Sequence, residues 1–402
     1  MIRARAMIPA LSAALLASSP AAGQVLRDEP VRLFAGRLTI TADVTATAGA
    51  RDDEAFFNYT DYERNTLRTF QGGLTTTWQP LTRLAAVAEV RTDDFSRVEL
   101  SAAYVRVRPF GDLPLDIQAG RIPPVFGVFG RRAYQADRML IGYPLAYQYL
   151  TSLRSDALPA SPDDLLAMRG RGWRSSFPVG STYEAPGLPI VSAFRWDTGV
   201  EAHWTNGLVE AAAALTQGTL AQPRVGDNND GKQISARVAI QPSAALRIGG
   251  SVARGAWIDD SVPLQASDAN QTAVGTDIEL SAGRWLLRSE IIWSRWDVPF
   301  VSPPTDGSTV SALASWLEGR YRVSPRIYVA ARIDRLGFST IRDSASASAP
   351  DTWDSDVHRV EGGIGVLIQR NVVWRSGLQW NTRDGGRVER RTFVASQLAW
   401  WF

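Results

Sequence analysis

The chain has 402 residues, with 43 Lys and Arg against 41 Asp and Glu and a formal net charge of +2. This balance argues against nucleic acid as a partner, and the absence of cysteine excludes a disulfide framework and thiolate metal sites. Hydrophobic residues make up 45% of the sequence, but beyond the N-terminus they alternate with polar ones and form no stretch long enough for a transmembrane helix.

The N-terminus predicts a secretory signal peptide over residues 1–23. Arg3 and Arg5 precede an apolar run, and the small residues Ala21 and Gly23 stand where a signal peptidase would cut. Residues 24–402 would then form a mature chain outside the cytoplasm. That chain would be either soluble in a periplasm-like space or folded as a membrane-spanning β-barrel.

Segments with a period of two recur from residue 37 to the end of the chain. The segment RLTITADVT, residues 37–45, places apolar side chains on one face and Arg, Thr and Asp on the other, which indicates a β-strand. A soluble sandwich would turn the polar face to bulk water, whereas a barrel turns it to a lumen. In the barrel interpretation the lumen-lining residues are Arg37, Asp43, Arg195, Asp197, Glu201, Arg237, Asp277, Glu279, Arg332, Asp334, Arg359 and Glu361.

The connections between these segments alternate between short and long. Short polar turns such as QPLTR and SAGR separate longer segments such as residues 49–65, 259–271 and 341–356. Short turns at one end and long loops at the other are typical of outer-membrane barrels. We therefore predict an all-β fold, a transmembrane antiparallel β-barrel of about 16 strands, a size that leaves an aqueous channel. Counts of 14 and 18 strands stay open.

The longest segment without predicted strands covers residues 127–190 and is the third of the long loops. It contains a helix start at Ser161-Pro162-Asp163-Asp164, with a capping Ser, a Pro and two acids in the first turn. Folded into the lumen, its charges would form a constriction that sets ion preference. The alternative is an external lid. The constriction candidates are Arg131, Arg132, Arg138, Arg154, Arg169, Arg171, Arg174, Asp137, Asp163 and Asp164.

Only two histidines exist, His203 and His358. His203 falls on the predicted inward face beside Glu201, where a lumen-lining contact explains it better than a catalytic dyad. The segment DNNDGK, residues 227–232, places its glycine at the wrong offset for a calcium-binding loop and reads better as a hairpin turn. The sequence therefore predicts no enzyme, no metal site and no cofactor.

The last strand alternates from residue 391 to the final Phe402. Thr392, Val394, Ser396, Leu398 and Trp400 share one largely apolar face that ends in aromatic residues, as a lipid-facing strand with an interfacial aromatic belt does. An edge strand of a soluble sandwich is the alternative.

Together, the signal peptide, the strand count, the long third loop and the terminal Phe resemble the bacterial general and specific porins. Gly120–Gly127, GRIPPVFG, also resembles a segment of the phosphate-selective porin-like group. The resemblance implies a homotrimer in the bacterial outer membrane, and a C-terminal strand ending in Phe402 that the barrel-assembly machinery recognises. Phosphate-selective members of that group line the pore with many lysines and arginines. In this chain Lys232 is the single lysine, and the predicted inward faces pair nearly every Arg with an acid, which argues against phosphate selectivity.

These observations predict an outer-membrane porin. Its water-filled channel, surrounded by outer-membrane lipid, would pass small hydrophilic solutes by passive diffusion, with a preference for anions if the loop arginines face the pore. The alternative function is a non-conducting outer-membrane barrel that serves as a binding or scaffold component of a surface or export assembly.

Overall fold

The structure of the protein is a computed structural model. The structure describes residues 26–60, 64–111, 113–130, 134–192, 196–263, 269–301, 308–342 and 351–402. The predicted signal peptide lies outside the described residues, and so do three of the predicted pore residues, Arg131, Arg132 and Arg195.

Within these ranges, the secondary structure consists of β-strands and two short helices, α1 (Leu145–Gln148) and α2 (Pro162–Ala167). The strands are β1 (Val31–Leu33), β2 (Leu38–Gly49), β3 (Phe70–Leu81), β4 (Leu84–Asp93), β5 (Arg97–Val107), β6 (Leu115–Ile122), β7 (Ala157–Leu158), β8 (Val179–Gly180), β9 (Asp197–Thr205), β10 (Val209–Thr216), β11 (Gln233–Ser243), β12 (Leu246–Ala256), β13 (Asn270–Ala282), β14 (Trp285–Val298), β15 (Ser308–Arg322), β16 (Ile327–Phe338), β17 (Thr340–Ile341), β18 (Asp351–Thr352), β19 (Val357–Gln369), β20 (Val372–Arg383) and β21 (Arg390–Trp401).

A single 17-stranded sheet closes on itself. The three-residue β1 is an addition to it, which leaves sixteen strands in the barrel: β2–β6, β9–β16 and β19–β21. Closure joins β21 to β2, with Trp400 opposite Val44. β1 pairs with the same edge of β2, with Val31 opposite Ile40, so it lies in line with the end of β21. The predicted all-β antiparallel barrel is confirmed.

Alternation of side chains produces a wall with two different faces. In β16, Ile327, Val329 and Ile333 are exposed on the outer surface, whereas Tyr328 and Arg332 are buried inside. Each outward Val, Leu or Ile contributes about 1.5–3 kcal/mol when lipid replaces water around it. Among the described residues, no helix has the length and apolar character needed to cross a membrane.

Short turns join the strands at one end of the barrel. Gly207 joins β9 to β10 with a φ of +87°, and Gly283 joins β13 to β14 with a φ of +59°. A Cβ atom disfavours this left-handed backbone, so glycine is the residue that makes such tight turns without strain. The longer connections lie at the opposite end.

The described part of the predicted long insertion, residues 127–130 and 134–190, lies inside the barrel. It carries both helices and the β7–β8 pair. The predicted helix start is confirmed at α2, where Ser161 and Asp164 form a reciprocal capping box behind Pro162. This cap satisfies backbone N–H groups that would otherwise lack partners in the first turn.

The insertion packs against inward apolar residues of β14–β16. Trp296 and Trp316 are buried, and they belong to one hydrophobic cluster with Phe126, Phe129 and Leu153 of the insertion and the residues just before it. The Phe129 and Trp316 rings lie edge to face, 6.5 Å apart. An apolar area on the inner wall of a water-filled barrel would be unfavourable unless a segment covered it, so this area selects where the insertion packs.

Candidate functional site

Carboxylates of the inner wall hold the backbone of the insertion. Glu290 on β14 accepts a hydrogen bond from the Val128 N–H at 2.9 Å, and Glu361 on β19 accepts one from the Gly142 N–H at 2.8 Å. Glu290 also accepts from the Tyr147 hydroxyl at 2.7 Å. Charged acceptors make stronger hydrogen bonds than neutral ones, more so in a water-excluded interior.

Arginines of the inner wall bind the carbonyl groups of the same segment. Arg332 donates to Gly142 O at 3.2 Å, Arg359 donates to Tyr143 O at 3.0 Å, and Arg375 donates to Gln135 O at 2.7 Å. All three guanidinium groups are buried. The mixed charge of the inner wall therefore anchors the insertion on the β14–β20 side of the barrel.

This anchoring changes the role of several predicted lumen-lining residues. Arg332, Asp334, Arg359 and Glu361 point into the barrel but are covered by the insertion, because residues 141–148 lie directly on them. The sequence pattern located the inward face correctly in these strands but could not show what covers it.

Other predicted lining residues have local partners. Arg237 and Asp277 form a buried ion pair at 2.5 Å, and Glu279 pairs with Arg288 at 2.7 Å. Asp197 is buried and accepts from the Gly218 N–H at 3.0 Å.

Glu201 and Arg37 complete the set of predicted lining residues. Glu201 is buried inside the barrel, where it has no exposure to a lumen. Arg37 is exposed in the turn that precedes β2.

The predicted constriction charges do not converge on one point. Arg154 is buried within the insertion and pairs with Asp156 at 2.9 Å. Arg169 pairs with Asp351 at 2.6 Å and with Asp384 at 3.1 Å, in the long connections of the outer end.

The remaining candidates are also dispersed. Arg171 and Arg174 are exposed, and Asp163 and Asp164 belong to the first turn of α2. Arg138 is buried over the Tyr143 ring at 4.1 Å, and Asp137 is exposed next to it. The hairpins and helix of the insertion separate these side chains, which sequence spacing alone could not show.

A cavity lies between the insertion and the wall formed by β2–β5. It has a volume of about 110 Å³. Three arginines and three acids line it: Arg64, Arg91, Arg97, Asp43, Asp93 and Glu99. Gln71, Tyr134 and Gln135 add uncharged polar groups. This cavity is the candidate functional site.

Glu89 positions two groups of the cavity. The Arg91 Nε donates to Glu89 Oε1 at 2.5 Å, and the Tyr134 hydroxyl donates to Glu89 Oε2 at 2.8 Å. Tyr134 belongs to the insertion, and burial raises the pKa of its hydroxyl well above the usual value. The hydroxyl therefore stays protonated and keeps its role as a donor at physiological pH.

Solved structures share this architecture at low sequence identity. The anion-selective porin from Comamonas acidovorans is 12% identical, with a TM-score of 0.55 over 91% of this chain and 99% of that one. The outer membrane channel DcaP of Acinetobacter baumannii is 9% identical, with a TM-score of 0.54 over 92% and 99%. The chain has the fold of the bacterial outer-membrane porins. No family model and no curated protein matches the sequence.

A third solved structure with the porin fold is a trimer form of OmpT, an outer membrane protein of Vibrio cholerae. It is 10% identical to this chain, with a TM-score of 0.53 over 91% of this chain and 99% of OmpT. DcaP and OmpT are both described as outer-membrane proteins. The closed barrel with its apolar outer surface fits that location, because a closed barrel leaves no unpaired strand edge in lipid.

The sequence analysis missed several residues that line the cavity, and it also missed Glu89, which positions Arg91 and Tyr134 there. Glu89, Arg91 and Asp93 share one parity of β4, so the same alternation could have found them. Arg64 lies in the connection between β2 and β3, Arg97 is the first residue of β5, and Tyr134 lies in the insertion. No periodicity at these positions marks the side that faces the pore. Arg375 and Glu290 were also missed, although both alternate with apolar outward residues.

Asp354 lies in the connection between β18 and β19 and forms hydrogen bonds with the outer part of the insertion. Its carboxylate accepts from the Ser152 N–H at 2.7 Å and from the Gly170 N–H at 2.9 Å. Burial raises the pKa of this carboxyl, and the backbone donors work against that shift. One buried side chain thus joins two distant parts of the insertion.

Asp52, in the connection between β2 and β3, gives a pH-dependent prediction. Burial raises its pKa from 3.8 to about 6, while it accepts from the Asn58 N–H at 2.8 Å. A raised pKa means that its stabilising contribution is present below 3.8 and is lost as pH rises through about 6. We expect faster amide hydrogen exchange at Asn58, corrected for the intrinsic rate, at pH 8 than at pH 5. Asp52→Asn should abolish the difference.

The exposed neighbour Asp53 supplies a matched control for this experiment. Asp53→Asn makes the same chemical change one residue away, and it should leave the pH dependence at Asn58 intact. An Asn58 exchange rate that does not change with pH in the unaltered protein would contradict the prediction.

Proposed function

We propose that this chain is an outer-membrane porin whose water-filled channel passes small hydrophilic solutes by passive diffusion. The observation that carries the proposal is the cavity between the insertion and β2–β5, lined by equal numbers of arginines and acids. Charges of both signs around a narrow passage replace part of the hydration shell of polar solutes and exclude apolar ones. The proposal assigns no catalytic role to His203, whose Nε2 lies 3.3 Å from Glu210 Oε1.

A preference for anions is the finer part of the proposal. The six charges of the cavity cancel, so the preference must come from other inward residues. Arg320 on β15 is half-buried over the Tyr328 ring at 5.7 Å, and no carboxylate among the described residues pairs with it. The similar porin from Comamonas acidovorans is described as anion-selective, which supports the same sign here.

Single-channel recording in a planar bilayer with a tenfold KCl gradient tests both parts. We expect stable open steps with a reversal potential displaced toward chloride. Arg320→Gln should move the reversal potential toward potassium, because it removes an unpaired positive charge from the inner wall. Asp93→Asn should move it further toward chloride.

A charge-matched control uses the exposed outer end of the insertion. Arg171→Gln removes one positive charge there and should change the reversal potential less than Arg320→Gln does. Cation preference in the unaltered protein would retain the channel and reject the anion preference. The absence of conductance steps from a correctly folded barrel would reject the channel itself.

A non-conducting barrel that binds a partner or serves as a scaffold is the second candidate function. The packing of the insertion favours it, because Tyr147, Gln148 and Tyr149 are fully buried inside the barrel. The bilayer experiment separates the two functions directly, since a filled barrel gives no steps.

The proposal includes three partners of the channel: surrounding outer-membrane lipid, two further copies of the chain in a homotrimer, and the barrel-assembly machinery. The trimer form of OmpT supports the second. For the third, Phe402 lies beside Trp400 with ring centroids 5.3 Å apart. Its backbone N–H donates to Ala42 O at 2.9 Å, so the C-terminal residue helps to close the barrel.

A further inference from the structure

A row of three basic side chains and one threonine, called the basic row below, lies on the outer, membrane-facing surface. Arg335 on β16 is directly opposite His358 on β19, which is opposite Thr382 on β20, which is opposite Arg390 on β21. All four side chains are exposed. They have the same parity as the lipid-facing residues of their strands, so they point away from the lumen.

The neighbouring row of outward-facing residues, two positions along the same strands, is apolar. Ile333, Val360 and Trp380 lie opposite one another across β16, β19 and β20. Their side chains are 54%, 45% and 48% exposed, respectively. The basic row therefore begins where the apolar surface ends, on the side of the long connections. An indole at this level is typical of the boundary between lipid chains and headgroups.

Arginine at this boundary interacts favourably with anionic groups. Within the described ranges, neither Arg335 nor Arg390 has a carboxylate at ion-pair distance, whereas the outward Arg295 pairs with Asp297 at 3.2 Å. Strands in a sheet are about 4.8 Å apart, so the three strand spacings between Arg335 and Arg390 place the two backbones about 14 Å apart. His358 and Thr382 fill the interval with further hydrogen-bonding groups.

We propose that this row binds the phosphorylated headgroup of a lipid in the outer leaflet of the membrane. The inference rests on the membrane placement included in the proposed function. Guanidinium groups bind phosphate oxygens through paired, charge-assisted hydrogen bonds. The apolar level beneath the row receives the acyl chains of the same lipid. Two arginines at this spacing suit a headgroup that carries two phosphates.

Native mass spectrometry of the detergent-solubilised full chain tests the proposal. The probes are bisphosphorylated lipid A, the same lipid after enzymatic removal of both phosphates, and inorganic phosphate. We expect the double variant Arg335→Gln, Arg390→Gln to bind bisphosphorylated lipid A at least about tenfold more weakly than the unaltered chain. The dephosphorylated lipid should bind both proteins equally.

The control variant carries the same charge change at the opposite end of the barrel. Arg326 and Arg370 are exposed near the short turns, and Arg326→Gln, Arg370→Gln should leave lipid A binding within about twofold of the unaltered chain. Equal binding of phosphorylated and dephosphorylated lipid by the unaltered chain would overturn the proposal. Displacement of the lipid by an equal concentration of inorganic phosphate would also overturn it, because the row would then lack lipid specificity.

A second copy of the chain is the competing occupant of this surface. If the double variant changes the number of subunits in lipid-free detergent, the row belongs to a contact between copies and the lipid site is rejected. Conductance measured on the same variants keeps the two proposals separate. The basic row faces away from the lumen, so a lipid-binding defect with normal conductance supports the site, whereas failure to conduct rejects only the channel.

Discussion

Replacing Arg332 by methionine should lower the free energy of unfolding by about 3–5 kcal/mol. Arg332 is the centre of a buried ionic cluster, since it pairs with Glu318 at 3.1 Å, Asp334 at 2.9 Å and Glu361 at 2.8 Å. Its side chain is only 1% exposed. Methionine would fill a similar volume but would leave three carboxylates buried together without the cation that pairs with all of them, which is far costlier than the loss of one surface pair.

Urea unfolding in lipid vesicles, followed by tryptophan fluorescence, measures this loss. Arg320→Met is a matched control on the neighbouring strand. It makes the same substitution at an inward arginine that has no carboxylate partner among the described residues, and we expect a change below about 1 kcal/mol. Arg332→Lys should recover part of the loss because it restores the charge without the forked geometry. Equal destabilisation by the two methionine variants would contradict the prediction.

Excision of the outer part of the insertion should raise the single-channel conductance several-fold. The Thr151 N–H donates to Leu188 O at 2.9 Å, so these residues are close enough to be joined by two glycines after removal of residues 152–187. The excised part contains α2 and the β7–β8 pair. The inner part, which is anchored on Glu290 and Glu361, would remain in place.

The physical reason is that the excised segment occupies the outer half of the barrel interior. Its removal widens the path for ions without altering the sixteen strands. Insertion of the same two glycines after the exposed Glu184 supplies the control, and it should leave conductance unchanged. If the excised barrel folds and conducts as the unaltered protein does, the passage is limited elsewhere, at the cavity beside β2–β5.

The alternation of apolar and polar residues along the strands was sufficient to predict the barrel. Antiparallel strands between lipid and an interior have one apolar and one polar face, and the period of two survives wherever both faces keep their environments. This is why the outward residues of β21, Val394 and Leu398, and the inward residues of β16, Arg332 and Asp334, were assigned to the correct faces from the sequence.

The start of α2 was equally local. A capping Ser, a Pro and an Asp within four residues satisfy the first turn of a helix without help from the rest of the chain. Such signals need only neighbouring residues, so the sequence is sufficient to find them.

The site depended on tertiary structure. The arginines of the insertion share a composition that favours a constriction, but the path of the segment sends Arg154 into its own core and Arg169 to the outer acids Asp351 and Asp384. No spacing rule relates these residues, because their partners lie on other elements far away in the chain. The period-two alternation of a strand also does not distinguish an inward charged residue that faces water from one that another segment covers.

The sequence by itself therefore determined the closed barrel, the lipid-facing side of strands such as β16 and β21, and the presence of one long charged insertion. Only the tertiary structure decided that the insertion packs on an apolar part of the inner wall. That contact, with its buried anchors at Glu290, Arg332 and Glu361, leaves the open cavity beside β2–β5. The reason is physical: alternation records only the environment of each face, whereas the position of a long loop depends on complementary surfaces that meet after the barrel has closed.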